Sequence, residues 1–448
     1  MPVEYLSLDA AATPWSAASF CMEHVGRTVL FEHQGDTGEE RAHSILLCAP
    51  KRWIVEGGET FIEGPSGREV DDPLRWMKQQ HQPCQALEPV PFIGGLAGYL
   101  GFEQGWRLDT LQVAARSAES PDLWVGLFEA SAVFDHRRRR WGIYGRSGDA
   151  VQQLADVLRR APSEPNIGPG ESRGESNHPG GISPASYRQG VSDAVEAIYA
   201  GDLFEVNFTD RIRTTWRGDR RAIYAGLRQL APGDFGGLIA IDELLIASVS
   251  PEQFLCVEPN GRVITRPVKG TRPRGETIEE DRALAEELLM SRKDRAENIM
   301  IVDLMRNDLT RVCKPGSVRT SELCGLHSFS SIHHLISTVE GRLSERFDAL
   351  DAFLASFPAG SITGAPKLRA MEWIAANERS PRGPYTGSMF YWSDHGRLDS
   401  NVLIRSAVLS GDRLEYGTGG AVVADSSPPQ EYDEALWKAQ PFLDFCGE

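Results

Sequence analysis

The sequence lacks an excess of basic charge. It contains 47 lysine and arginine residues against 63 aspartate and glutamate residues, a formal net charge of −16 at pH 7. A protein that grips nucleic acid or anionic lipid needs the opposite sign on its surface. The one dense basic run, residues 137–140, lies between two strand-like segments and is typical of a solvated hairpin turn. The composition therefore argues against a nucleic acid or membrane-surface partner.

The sequence also lacks cysteine pairs and long apolar runs. Its seven cysteines are scattered, with no C-x-x-C pair and no cysteine–histidine cluster at zinc spacing. The longest apolar run, residues 235–249, is interrupted by Asp242 and Glu243, and no basic start followed by an apolar stretch opens the chain. These absences predict free thiols, no membrane segment and a cytoplasmic location.

The chain is long enough to bury a large core, with 448 residues of which 41% are hydrophobic. Residues 161–181 are rich in proline, glycine, serine and charge without apolar periodicity, which predicts a flexible linker. This linker separates residues 1–160, with short strand-like runs, from residues 182–448. In the second region strands and amphipathic helices alternate without a regular βαβ series, which predicts an α+β fold.

Two pairs of carboxylates stand out on predicted helices. Asp294 and Glu297 are three residues apart, as are Glu431 and Glu434, so each pair shares one helix face. Oxygen ligands without histidine or cysteine select a hard cation such as Mg²⁺. Acidic pairs on solvated helix faces are also common. The residues alone leave both interpretations open.

A single lysine lies in the stretch Arg266-Pro-Val-Lys-Gly-Thr271, which follows a strand-like run. Lys269 is therefore either a solvated loop cation or a positioned amine, and the spacing alone does not decide between them. The next segment is polar and punctuated by proline and glycine, as expected at the end of a strand.

Several stretches resemble, in order, the motifs of the chorismate-utilising enzymes, the family that includes the anthranilate, aminodeoxychorismate, isochorismate and salicylate synthases. They cover residues 183–440, and the N-terminal third matches more weakly. The stretches are Ser250-Pro-Glu-Gln-Phe254, Arg266-Pro-Val-Lys-Gly-Thr271, Asp294-Arg-Ala-Glu-Asn298, Ile301-Val-Asp-Leu-Met-Arg-Asn-Asp-Leu309, His333-His-Leu335, Gly360-Ser-Ile-Thr-Gly-Ala-Pro-Lys367, Tyr385-Thr-Gly-Ser388, residues 401–405, Gly417-Thr-Gly-Gly420 and Glu431-Tyr-Asp-Glu434.

The resemblance implies a particular α+β fold. Two large, mostly antiparallel sheets would pack face to face as a sandwich with helices outside, and the active site would lie in a cleft between the sheets. Residues 1–160 would complete the sandwich, and residues 182–448 would form the chorismate-binding catalytic domain.

The resemblance also implies a metal site. The positions of Glu297 and Glu434 match the residues that bind Mg²⁺ in the family, where the ion holds a substrate carboxylate. Glu431 lies close by in the family pattern, and Asp294 completes the set of expected metal ligands. The resemblance therefore favours a metal site over a pair of solvated helix faces.

Residues for the substrate carboxylates follow from the same resemblance. Arg405 and Tyr385 match the residues that hold the enolpyruvyl carboxylate, and a planar guanidinium suits a bidentate contact. The amides of Gly419 and Gly420, together with Ser361 before a helix N-terminus, would supply neutral donors. Tight turns for the glycines and a sheet-surface cation for Arg405 are the alternatives.

Two further residues have matches of their own. His334 matches the family histidine near the ring carboxylate, although a lone histidine is often a core residue. Glu252 matches the general acid that protonates the departing hydroxyl and later acts as base. Its alternative role is an ordinary acid in the first turn of a helix that begins near Ser250-Pro251.

Lys269 decides which reaction the resemblance implies. Isochorismate and salicylate synthases activate water with a lysine at the position of Glu205, and they and the anthranilate synthases tend to carry alanine at the position of Lys269. Lysine at 269 is typical of aminodeoxychorismate synthases. An amine adding at C2 would expel the 4-hydroxyl, and ammonia adding at C4 would then expel the amine. Such an amine must be neutral, so we expect Mg²⁺ or Arg405 and burial to depress the pKa of Lys269.

The implied activity is therefore conversion of chorismate and ammonia into 4-amino-4-deoxychorismate, as in aminodeoxychorismate synthase component I, on the route to p-aminobenzoate and folate. No cysteine has the Gly-x-Cys-x-Gly context of a glutaminase nucleophile, which implies a separate glutamine amidotransferase subunit as the ammonia source. An anthranilate synthase component I is the first alternative. A non-catalytic, chorismate-binding regulatory subunit is the alternative from another class.

Overall fold

Alternating apolar residues define two buried faces on the central strands. Along the strand of residues 28–32, Val29 belongs to one buried cluster and Leu30 to another. Leu245 and Ile246 divide in the same way on the strand of residues 244–248. Because successive side chains of a strand point to opposite faces, such a sheet needs an apolar partner on each side. The computed structural model describes residues 3–33, 43–57, 60–84, 90–109, 111, 120–174, 182–329 and 332–447.

Two sheets, each of 12 strands within the described residues, provide these partners, and all their pairings are antiparallel. The first sheet runs in the order β1 (Glu4–Leu8), β10 (Arg140–Gly145), β9 (Ala130–Asp135), β3 (His43–Cys48), β2 (Thr28–Glu32), β13 (Gly236–Ile241), β14 (Leu244–Ser248), β23 (Ser406–Ser410), β24 (Arg413–Val422), β12 (Glu205–Gly218) and β11 (Gly170–Gly174), with β20 (Gly364–Ala365) beside β12. The second runs in the order β17 (Val268–Pro273), β19 (Ile332–Arg342), β16 (Arg262–Thr265), β15 (Gln253–Val257), β22 (Leu398–Asn401), β21 (Ser388–Ser393), β7 (Gly95–Leu100), β8 (Leu123–Phe128), β4 (Arg52–Gly57), β5 (Thr60–Gly64) and β6 (Arg68–Val70), with β18 (Arg319–Ser328) beside β19.

The core between the sheets joins residues from both, for example Val29 and Ile239 of the first sheet with Tyr99 and Trp124 of the second. The helices pack around this sandwich, and the largest buried cluster joins them to the sheets. They are α1 (Pro14–His24), α2 (Pro73–Gln80), α3 (Gln104–Leu108), α4 (Gly148–Arg160), α5 (Pro184–Tyr199), α6 (Arg221–Leu230), α7 (Ile278–Met290), α8 (Arg292–Thr310), α9 (Ala349–Ser356), α10 (Lys367–Asn377) and α11 (Pro428–Cys446). The expected sandwich with outer helices is confirmed.

Local sequence signals set several helix starts. Ser183 accepts a hydrogen bond from the backbone of Ser186 and precedes a proline at the first position of α5. Asp348 caps α9 and forms a reciprocal capping box with Asp351. The arginine run of residues 137–140 lies at the turn between β9 and β10, as predicted.

The predicted linker is only partly a loop. Residues 170–174 form β11, which pairs with β12 at the edge of the first sheet, and residues 175–181 lie outside the described residues. An edge strand is held by backbone hydrogen bonds and needs no apolar alternation, so the sequence pattern gave no sign of it. Strands from residues 1–160 and 182–448 are neighbours in both sheets, as β2 is of β13 and β7 of β21.

The seven cysteines are free thiols. Among the described residues, no helix has both the length and the apolar character needed to cross a bilayer.

Candidate active site

A cavity of about 530 Å³ opens between the two sheets, where β12 and β24 of the first face β17 of the second. The predicted site residues that line it are Glu252, Lys269, Asp294, Glu297, His334, Ser361, Tyr385, Arg405, Gly419 and Glu434. Gly420 and Glu431 are outside this lining. A Cβ atom on Gly420 would lie 3.2 Å from Glu431 Oε2, so these two residues face each other beside the cavity. The expected amide contact from Gly420 to substrate is therefore not supported by its position.

A β-bulge positions Lys269. The ladder between β17 and β19 pairs Lys269 with Leu335 and Thr271 with His334, which leaves Gly270 as an extra residue on β17. Gly270 has φ of +82°, and a Cβ atom there would lie 2.9 Å from Cβ of Asp294. Only glycine meets both conditions without strain. The bulge brings Lys269 and Thr271 together into the cavity lining.

Lys269 is paired across the cleft with Glu205. Its Nζ donates to Glu205 Oε1 at 2.7 Å, and the two residues are 9% and 0% exposed. Burial lowers the pKa of Lys269, but the carboxylates of Glu205, Glu297 and Glu252 outweigh it and raise the pKa above its usual range. These carboxylates therefore act against the expected depression of this pKa. They favour the ammonium form of Lys269, and Glu205 is positioned to accept its proton.

Glu252 lies immediately before β15 and not in a helix, which removes its alternative role as a first-turn acid. Ser361 Oγ donates to Glu252 Oε1 at 2.7 Å. Burial raises the pKa of Glu252 to about 7, although the Ser361 hydrogen bond and the Lys269 charge lower it. A carboxyl that changes protonation near neutral pH can act as both acid and base.

Arg405 is held in an uncommon backbone conformation, with φ of +48°. No described residue accepts a hydrogen bond from its guanidinium, and the group lines the cavity. Burial lowers its pKa, while Tyr416 raises it. The group is available for an anion. Tyr385 lies nearby with its ring over Gly417, where a Cβ atom would lie 2.2 Å from the ring.

His334 is a neutral imidazole. Its Nδ1 is 2.9 Å from Thr271 Oγ1, and its Nε2 is buried with no described partner. Burial, together with a smaller effect of the Arg405 charge, lowers the pKa of His334 to about 4. The free nitrogen of a buried imidazole in the cavity wall suits a hydrogen bond to substrate.

Two of the acidic side chains are paired with cations of the cavity wall. Arg272 Nη2 is 3.2 Å from Asp294 Oδ2, and Lys438 Nζ is 2.7 Å from Glu434 Oε1. Burial raises the pKa of Glu434, but the charge and hydrogen bond of Lys438 lower it overall.

The other two carboxylates face a lysine between the helices. Lys293 Nζ lies 3.9 Å from Glu297 Oε1 and 3.9 Å from Glu431 Oε1. Glu431 Oε1 accepts a hydrogen bond from Ser426 at 2.7 Å, whereas Glu297 Oε1 is buried and accepts none from any described residue. Burial raises the pKa of Glu297 to about 7, although Lys269 lowers it.

These residues fit a hard cation in donor type. The orphaned oxygen of Glu297 and the carboxylate of Glu434 line one cavity, and carboxylate oxygens suit Mg²⁺. In the described part of the chain, no three histidine, cysteine or acidic side chains already converge on one point. The Lys293 side chain is 54% exposed, so it can move away from a bound ion.

Replacement of Glu297 by glutamine is expected to raise the free energy of unfolding at pH 8 by on the order of 2 kcal/mol. The folded-state pKa of about 7 lies above the ordinary value of 4.5, so stability falls as pH rises through this window. Glutamine does not ionise, so the variant does not lose stability in this way. Urea unfolding at pH 4 and pH 8 measures the free energy of unfolding, and the difference between variant and wild type should vanish at pH 4.

The matched control is Glu345→Gln. The Glu345 side chain is 90% exposed, so its replacement should leave the free energy of unfolding unchanged at both pH 4 and pH 8. Addition of Mg²⁺ at pH 8 should stabilise the wild type more than Glu297→Gln. Equal stability of wild type and variant at both pH values would contradict the buried, ionisable role of Glu297.

Sequence reasoning missed several groups in the cavity wall. Lys293 precedes Asp294 directly, and Lys438 follows Glu434 by four residues, the spacing of a helical ion pair. Both signals were present beside the carboxylates. Asn207 also lines the cavity, but it lies on β12 of the opposite sheet and carries no local signal.

The fold and this cleft can now be compared with those of known proteins. Anthranilate synthase component I from Streptococcus pneumoniae matches the structure with a TM-score of 0.78 and 29% identity, over 91% of this chain and 93% of that one. Residues 29–444 match the sequence profile of a family described as "chorismate binding enzyme". The chain therefore belongs to the chorismate binding enzyme family.

Curated relatives fall into two groups at the same level of identity. Aminodeoxychorismate synthase component 1 of Klebsiella aerogenes is 36% identical over 416 residues, which cover 90% of this chain and 91% of that protein. Anthranilate synthase component 1 of Thermus thermophilus is 36% identical over 432 residues, covering 95% and 91%. Overall similarity establishes the family but does not separate the two activities.

Proposed function

We propose that this protein is the chorismate-aminating component of an aminodeoxychorismate synthase and forms 4-amino-4-deoxychorismate from chorismate and ammonia. The observation that carries the proposal is the buried pair of Lys269, which lines the cavity, and Glu205, a proton acceptor 2.7 Å from the amine. An alanine at 269 would leave no amine at this point.

Binding of chorismate uses the cations and donors of the cavity. Arg405 and Tyr385 hold the enolpyruvyl carboxylate, because both groups line the cavity and no described residue accepts a hydrogen bond from the guanidinium. His334 Nε2 and the amide of Gly419 supply neutral donors. Glu297 and Glu434 would hold Mg²⁺, which supplies positive charge for the ring carboxylate.

The first displacement begins when Lys269 passes a proton to Glu205. The neutral Nζ adds to C2, the two ring double bonds shift, and the C4–O bond breaks. Glu252 gives its proton to the departing hydroxyl, which leaves as water. Glu252 is suited to this step because burial raises its pKa to about 7.

The second displacement reverses the first. Ammonia adds at C4 and loses a proton to Glu252, the double bonds shift back, and the C2–N bond to Lys269 breaks. Lys269 then recovers its proton from Glu205. Two displacements give net retention at C4, which one displacement does not.

Ammonia comes from a separate glutamine amidotransferase in this proposal. The relatives are named as component 1 of their synthases, which supports a partner subunit. The product would supply p-aminobenzoate and folate synthesis.

Anthranilate formation is the second candidate, favoured by the equal identity to anthranilate synthase relatives. One assay separates the candidates: the protein is incubated with chorismate, ammonium and Mg²⁺, and products are separated by chromatography. We expect aminodeoxychorismate. Fluorescent anthranilate would establish the second candidate, and absence of conversion would favour a chorismate-binding regulatory subunit.

A further inference from the structure

A second cavity, of about 220 Å³, lies beyond Tyr385 on the ribbon formed by β12 and β24. Tyr385 and Gly417 line both this cavity and the active site. The ladder pairs Arg211 with Gly417 and Arg213 with Glu415, so these residues share the face that carries Gly419 in the active site. We call this space the arginine cavity, because Arg211, Arg213, Arg382 and Arg413 line it.

The deepest of these cations is incompletely paired. Arg211 is 6% exposed, and its Nε donates to the carbonyl oxygen of Pro381 at 3.0 Å. Neither Nη group donates to a described residue. The guanidinium carbon lies 5.5 Å from the centre of the Tyr385 ring. A buried guanidinium with free donors is costly unless an acceptor completes its hydrogen bonding.

The cations nearer the mouth share one carboxylate oxygen. Arg213 Nε donates to Glu415 Oε1 at 2.9 Å, and Arg413 Nη2 lies 3.0 Å from the same atom. Arg213 Nη2 also donates to Ser380 Oγ at 2.9 Å. The lining therefore has more positive than negative charge, in a chain whose net charge is −16.

The neighbouring acids do not cancel this excess. Glu378 binds Arg382 at 2.6 Å, and Glu103 accepts from the backbones of Arg382 and Gly383. Both act on Arg211 only through space, together with Glu415. Ligand binding would thus add the acceptor that the described residues do not provide.

We propose that the arginine cavity binds a small oxyanion, a carboxylate or inorganic phosphate, with Arg211 as its buried ligand and Arg213 and Ser380 beside it. Guanidinium groups bind both anions through paired, charge-assisted hydrogen bonds. The volume is below the range of about 300–1,000 Å³ typical of sites for larger ligands, which excludes a nucleotide. The site does not depend on which chorismate product is formed.

The test uses the full chain with Arg405→Gln, which removes the free active-site guanidinium. Isothermal titration with inorganic phosphate and, separately, with malonate at constant ionic strength should show saturable binding at one site. Adding Arg213→Gln should weaken the affinity for the probe at least about 10-fold, since charged hydrogen bonds are lost. Adding Arg138→Gln, at a side chain 68% exposed, should leave the affinity unchanged. Whichever probe binds more tightly shows whether the site prefers phosphate or a carboxylate.

Failure of both probes to saturate would overturn the proposal, as would binding unaffected by Arg213→Gln. Circular dichroism checks that each variant is folded. If Arg213→Gln is unfolded, Ser380→Ala replaces it, because Ser380 lies beside the proposed ligand, and weaker binding of the same probe is expected. These outcomes are independent of the product assay above, because no chorismate is present.

Discussion

Replacement of Lys269 by alanine should lower the rate of 4-amino-4-deoxychorismate formation at least about 1,000-fold, because the attacking amine is lost. The same change leaves Glu205 buried at 0% exposure without its cation, so stability should also fall. Product chromatography with chorismate, ammonium and Mg²⁺ measures the activity. A variant that kept wild-type amination would exclude Lys269 as the nucleophile.

The control must separate loss of a nucleophile from loss of a buried ion pair. Lys367 is also 9% exposed, and its Nζ lies 2.5 Å from Asp308 Oδ2, away from the cavity lining. Lys367→Ala should lose comparable stability, on the order of 3 kcal/mol, while retaining amination under conditions where it is folded. Equal loss of activity in both variants would indicate that Lys269 acts through folding alone.

Replacement of Glu252 by glutamine should lower kcat by about 10²–10⁴-fold while leaving the dissociation constant of chorismate nearly unchanged. Glutamine keeps the shape of the side chain and can still accept the Ser361 hydrogen bond, but it cannot protonate the leaving hydroxyl. Rapid-quench turnover and fluorescence titration with chorismate measure the two quantities. Near-normal turnover would refute the assignment of Glu252 as general acid.

The pH dependence provides a second readout for Glu252. The acid form is populated below its pKa of about 7, so kcat/KM should fall as pH rises above 7. Ser361→Ala removes a hydrogen bond that lowers this pKa and should move the alkaline limb to higher pH without abolishing turnover. If the fall of kcat/KM at high pH is unchanged in Ser361→Ala, a group other than Glu252 controls it.

Local signals predicted much of the fold. Proline after serine marked the start of α5, and the acidic cap marked α9. Register and sheet order were not predictable, because β-pairing depends on partners far apart in the chain. The break between β22 and β23 likewise had no sequence signal: it depends on Arg405, which lies immediately before β23 and adopts φ of +48°.

The candidate site was predicted as a set of motif residues, and most of them meet in one cavity. The interactions among these residues were harder to predict from the sequence. Glu205 and Lys269 are 64 residues apart and belong to different sheets, so the effect of one charge on the other is a tertiary property. The sequence showed Glu205 only as a missing water-activating lysine. The structure shows it as the hydrogen-bond partner of Lys269, and its charge raises the pKa of that lysine.

The ion pair across the cleft also restricts how such an enzyme can change its reaction during evolution. Relatives that add water are expected to carry the lysine on the strand of Glu205, and the 2.7 Å contact means that either strand can place an ammonium in nearly the same space. A single substitution cannot move the ammonium from one strand to the other. Lysine at both positions buries two cations together, and alanine at 269 alone leaves a buried carboxylate unpaired, each at a cost of several kcal/mol. A change from one reaction to the other therefore requires substitutions at both positions, or an ancestral protein in which the cleft was less buried.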